Sequence, residues 1–161
     1  MYGKILVGVD SSENSTRALQ VAADLCHIFG AELHVFHGVA HHFQLPFFPY
    51  PPFATASTLP REPQVDAAFL KEYYEDAGKA VIEDARNYLE NLDYGADLRV
   101  EYHIELDTSP ETFAVEFAEA NGIDLIVIGC KGHHGRLRRA LLGTVATKIA
   151  NEAPCQVLVV R

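Results

Sequence analysis

Two short segments, far apart in the chain, hold the residue types that could bind a ligand, and the second of them suits an anion. The first is Val9-Asp10-Ser11-Ser12, which follows an apolar run. The second is Gly129-Cys130-Lys131-Gly132-His133-His134-Gly135-Arg136, with Gly143-Thr144 a little further on. Glycines let backbone amides approach a phosphate with no side chain between them. Gly143-Thr144 stands just before a helical pattern, and a helix start offers unpaired N–H groups and the positive end of the helix dipole. Thr144 adds a hydroxyl, while Lys131 and the neighbouring arginines add charge. Spacing alone also fits tight strand-to-helix turns, and Asp10 alone also fits a helix cap.

The distribution of charge favours a small anionic ligand. The formal net charge is −9, which disfavours general nucleic-acid binding because a polyanion needs a basic footprint. Yet residues 125–151 contain no acidic side chain and hold five of the thirteen basic ones: Lys131, Arg136, Arg138, Arg139 and Lys148. A local positive field in an acidic protein suits a small anion, although solvated arginines on a helix face would give the same count.

Other chemistries find less support. The pairs His41-His42 and His133-His134 lack HxH or HExxH spacing, so no metal site is expected and surface histidines are the better reading. There is no GxxxxGK[ST] loop and no GxSxG elbow. Cys130 beside Lys131 could have a lowered pKa, but a buried or inert thiol is the better reading. No candidate base for an attacking water stands out, so no catalytic residue is expected; any ATP turnover would be slow and incidental.

The elements that must position these loops read clearly. With 161 residues the chain is expected to form one domain, residues 1–161. Its start reads as a strand rather than a signal peptide, and no apolar run is long enough to span a membrane. Three cysteines without CxxC spacing point to a reducing compartment, and the expected location is the cytoplasm. Residues 4–9 form a β-branched apolar strand. A helix follows, with Ala18, Leu19, Ala22, Leu25, Cys26 and Phe29 on one side and Gly30 at its C-terminal end. Residues 33–39 form a second strand. From Asp66 a long helix is expected, its stripe running through Leu70, Tyr74, Ala77, Val81, Ala85, Tyr88 and Leu92. Val100, Tyr102, Ile104 and Leu106 alternate with polar neighbours, as in an edge strand with one wetter face. Ser109-Pro110-Glu111 starts a helix whose buried side is Phe113, Ala114, Phe117 and Ala120. Residues 124–129 form a strand, Val145 and Ile149 mark a last helix, and residues 157–160 a last strand. The alternation predicts an α/β fold: a parallel sheet with helices on both faces.

Residues 40–65 interrupt the pattern. Six of the eight prolines lie there, with Phe43, Phe47, Phe48, Tyr50 and Phe53 among them. So many aromatic side chains argue against a plain linker and for a lid, a partner-contact surface or packing onto the same domain.

Several segments together resemble the universal stress protein family. They are Ile5-Leu6-Val7-Gly8-Val9-Asp10-Ser11-Ser12, the strand Asp124-Leu125-Ile126-Val127-Ile128-Gly129, the run Gly129-x-x-Gly132 followed by Gly143-Thr144, and Pro154-x-x-Val157-Leu158-Val159-Val160. The resemblance covers the chain apart from residues 40–65. It implies a Rossmann-like three-layer fold with a five-stranded parallel sheet of order 3-2-1-4-5, and a homodimer joined through the last strand. It also implies an adenine-nucleotide-binding stress-response regulator, with ATP, or AMP or ADP, as ligand and Mg2+ accompanying it. Asp10 would meet the nucleoside, Gly129 and Gly132 the ribose–phosphate stretch, and Gly143 with Thr144 the phosphates. Val9 and Val145 would give backbone or packing contacts, while Gly38, where the family often has valine next to adenine, would keep the backbone contact and lose the apolar packing. Here the spacer from His133 to Leu142 is ten residues, one more than the family's nine. The alternative is a nucleotide-free interaction module of the same fold, acting on an unnamed protein partner through residues 40–65 and its dimer surface.

Overall fold

The structure, a computed structural model, describes residues 1–39, 67–130 and 142–161, with the backbone alone for residues 67–70. In chain order the elements are β1 (Lys4–Gly8), α1 (Glu13–Phe29), β2 (Glu32–Gly38), α2 (Ala67–Glu90), a short 3-10 turn (Gly95–Asp97), β3 (Arg99–Glu105), α3 (Pro110–Asn121), β4 (Leu125–Gly129), α4 (Thr144–Glu152) and β5 (Gln156–Val160). The strands form one sheet of order β3-β2-β1-β4-β5, and every neighbouring pair is parallel. The architecture implied by the sequence is therefore the observed one.

Successive strand residues point to opposite faces, so the apolar runs fill two cores. On one face Ile5, Val7, Leu33, Val35, Leu125 and Val127 pack against α1 and α2. On the other Leu6, Phe36, Ile126 and Ile128 meet Ala114 and Ala118 of α3 and Ala146 and Ile149 of α4. The central strands carry apolar residues on both sides because both sides are covered.

Local signals place the helix ends. The Ser12 hydroxyl oxygen accepts from the Ser15 N–H at 3.2 Å and starts α1, and Gly30, at φ 65°, closes it. Ser109 caps α3 with Pro110 in its first turn. The stripe of α2 differs from the sequence reading: the buried line is Gly78, Ile82, Ala85 and Leu89, and Ala77 is exposed. A Cβ on Gly78 would lie 3.1 Å from Ile104, so the helix turns its glycine toward the sheet to approach β3 closely. On α3, similarly, Ala118 is buried and Ala120 exposed. β3 is an edge strand, as its wetter face predicts, and β5 is the other edge.

Candidate functional site

The winding direction reverses between β1 and β4, and such a reversal leaves a crevice at the carboxyl ends of the two strands. Val7 stands opposite Val127, so the chain leaves β1 at Val9-Asp10 and β4 at Gly129-Cys130 side by side. Gly129 presses on the first turn of α1: an added Cβ would lie 2.9 Å from the Asn14 carbonyl carbon. The Gly143 N–H donates to the Cys130 carbonyl at 2.8 Å, which brings the start of α4 to the same edge. Residues distant in the chain thus meet beyond the carboxyl ends of β1 and β4.

Asp10 does not cap α1 itself. Its Oδ1 accepts from the Ser12 N–H at 3.1 Å and from the Ser12 hydroxyl at 2.6 Å, and Ser12 is the cap. The Asp10 N–H in turn donates to the Ser15 hydroxyl at 3.2 Å. This network holds Ser11 at φ 59°, the one non-glycine among the described residues with positive φ. Strain of that kind needs surrounding bonds to persist and gathers at ligand-contact turns.

α4 begins differently among the described residues. Gly143 is its N-cap residue, in extended conformation, and no side chain bonds to this helix start among the described residues. The first intrahelical bond runs from the Thr147 N–H to the Gly143 carbonyl at 2.9 Å. The N–H groups of Thr144, Val145 and Ala146 precede it and have no acceptor within the helix. Thr144 and Val145 are exposed.

The other expected site residues are placed as follows. Val9 is buried in the core. Its N–H donates to the Phe36 carbonyl at 2.9 Å, and its carbonyl accepts from His37 Nδ1 at 2.7 Å. A carbonyl only accepts, so the His37 proton sits on Nδ1. Gly38 lies against α3, where a Cβ would come within 2.9 Å of the Pro110 Cα. A valine there would collide with that backbone, which gives this glycine a packing reason. Lys131, Gly132, the arginines of residues 136–139, both histidine pairs and residues 40–65 lie outside the described residues. Lys148, the described cation of the acid-free stretch, turns toward α3, with Nζ 3.7 Å from Glu111 Oε1. Cys130 is buried.

A shallow open depression of about 410 Å³ lies elsewhere, between α1, Tyr88 and Arg161, and neither Asp10, Gly129 nor Gly143 borders it.

The fold defines a doubly wound α/β protein whose strand order reverses between β1 and β4. Comparison with known proteins agrees. The family described as Universal stress protein family matches residues 1–161. A universal stress protein of Methanocaldococcus jannaschii is 30% identical over 161 residues, which covers 100% of this chain and 83% of that protein. Among solved structures, the universal stress protein UspA from Lactobacillus plantarum has a TM-score of 0.70 at 24% identity, covering 99% of this chain and 98% of that one. A universal stress protein in complex with cAMP has a TM-score of 0.65 at 24% identity, covering 99% and 97%. One from Archaeoglobus fulgidus in complex with dAMP has 0.60 at 20%, covering 99% and 98%. The chain belongs to the universal stress protein family.

Proposed function

We propose that this chain binds an adenine nucleotide at the β1–β4 edge and acts as a stress-response regulator rather than an enzyme. The observation that carries the reading is the start of α4, which no described side chain caps and whose Gly143 N–H bonds the Cys130 carbonyl just after β4. Three N–H groups without helical acceptors form a phosphate cradle, and Thr144 adds a donor. In this reading Asp10, braced by Ser12, meets the nucleoside end, and Gly129 lines the stretch between. ATP with Mg2+ is the proposed ligand, and the ten-residue spacer makes AMP its main competitor for the site. The cAMP and dAMP held by two structural relatives support the adenine class. β5 is a sheet edge with Leu158 exposed to 37%, which supports a homodimer through that strand.

The test is thermal unfolding with ATP, AMP and cAMP, together with mass spectrometry of whatever freshly purified protein releases on denaturation. A ligand at a hundred times its Kd stabilises by about 2.7 kcal/mol, roughly 5–10 °C for a protein of this size. Thr144→Val should weaken ATP more than adenosine. An unfolding temperature that no adenine nucleotide moves, with none released, would overturn the reading.

A further inference from the structure

His34 stands in β2 between the buried Leu33 and Val35, and is 4% exposed. In the parallel register it faces Glu101 of β3, while Phe36 faces His103. Strand alternation puts His34, Glu101 and His103 on the face that α3 covers, and Phe117 closes one side at 5.4 Å from the His34 ring and 4.7 Å from the His103 ring, centroid to centroid. The opposite side opens at the sheet edge, where the Glu101 side chain is 59% exposed.

The three polar ends converge. His34 Nδ1 lies 3.2 Å from His103 Nε2 and 3.6 Å from Glu101 Oε2. All three ligand atoms lie within 4.8 Å of one another, the one such group of three among the described residues. Two donors bound tetrahedrally to zinc at about 2.0–2.1 Å are roughly 3.3 Å apart, close to the two shorter separations. A hydrogen bond between the imidazoles would also fit the 3.2 Å contact. Such a bond leaves Glu101 aimed at His34 without a strong bond, whereas His34 Nε2 is buried with no partner among the described residues in either arrangement.

We propose that His34 Nδ1, His103 Nε2 and Glu101 Oε2 form a binding site for a divalent transition-metal ion of the zinc class, with the fourth position open to water at the sheet edge. Two imidazoles and one carboxylate suit zinc, and nickel or copper would compete for the same donors. Burial lowers the pKa of both histidines and favours the neutral imidazoles that a metal needs. The Glu101 carboxylate offsets part of the ion's charge. Two hydrogen-bonded strands hold the donors, so little reorganisation is required on binding. The ion would clamp the edge strand β3 to β2, away from the strand ends where the nucleotide is proposed.

The test is calorimetric titration of ZnCl2 into the full chain after dialysis against EDTA, with Co2+ absorption as the report on geometry. One ion per chain is expected, with a tetrahedral cobalt spectrum. Glu101→Gln, at an exposed position, should weaken zinc at least about tenfold, and His103→Gln should abolish the site. A control with His133 and His134 both changed to Gln should bind as the unaltered chain does. Should His103→Gln fail to fold, Glu101→Gln and the 15N shifts of the His34 and His103 ring nitrogens on adding zinc decide the matter. No zinc uptake, or uptake unchanged by Glu101→Gln with those shifts unmoved, would overturn the proposal.

Discussion

Gly129→Ala probes the joint on which the ligand edge depends. Gly129 is absent from the positive-φ residues, so alanine meets no backbone strain there and the cost is steric. The new Cβ would sit 2.9 Å from the Asn14 carbonyl carbon, 3.0 Å from its oxygen and 3.1 Å from its Cβ. Two of these atoms are backbone in the first turn of α1, so no rotamer change relieves the contact. Reaching the 3.4 Å of ordinary contact requires β4 and α1 to part by about 0.5 Å. Overpacking of this kind costs about 1–3 kcal/mol, and about 2 kcal/mol corresponds to roughly 4–8 °C in unfolding temperature. The same displacement moves Gly129 away from the Asp10 turn, so nucleotide-dependent stabilisation should shrink as well. Gly122→Ala is the comparison: its φ is 64° with nothing within 4 Å of the added Cβ. It should cost about 1 kcal/mol through left-handed strain alone and leave ligand response intact. Urea unfolding followed by circular dichroism, with and without ATP, separates the two. A Gly129→Ala protein as stable as the parent would refute the claim that β4 and α1 touch backbone to backbone.

Two further outcomes follow from charge and burial. Asp124 Oδ2 accepts from the N–H groups of Gly3 at 2.7 Å and Lys4 at 3.0 Å, and these bonds hold its carboxyl below the usual aspartate range. On acidification the unfolded chain takes up this proton first, so the stabilisation, present above about pH 4, fades as pH falls through the lower native value. Urea midpoints between neutral pH and pH ~3 should fall more steeply for the parent than for Asp124→Asn; identical slopes would refute the assignment. Burial pushes the Cys26 thiol up to about 12, so at about pH 8 an alkylating reagent should reach it only in denaturant. Native labelling at Cys26, read by peptide mass, would contradict its place in the α1 core.

The candidate nucleotide edge was largely legible because its parts are local signals. Glycines before a helical pattern, a serine after an apolar strand and a Ser-Pro helix start each act through their own backbone hydrogen bonds, within a turn or two. The reading of Ala77 on the α2 stripe missed because period alone leaves the phase of a helix open by one residue; close approach to Ile104 selected Gly78 instead. Gly38 was read through its place beside a base, whereas the Pro110 backbone supplies a reason that no local pattern shows. The His34 cluster escaped altogether. Glu101-x-His103, at period two on a wet-faced strand, was its only trace, and the third member lies 69 positions before His103.

What the sequence determined by itself was the kind and order of the elements and the residues at their ends, since hydrophobic period, caps and β-branched runs act over a few neighbours. What the tertiary structure alone decided was which of those ends meet. Parallel register set Glu101 opposite His34, the β1–β4 reversal set Gly129 against Asn14, and a backbone bond tied Gly143 to Cys130. Such contacts join residues distant in the chain, and only the packing of helices on both faces of a twisted sheet fixes them.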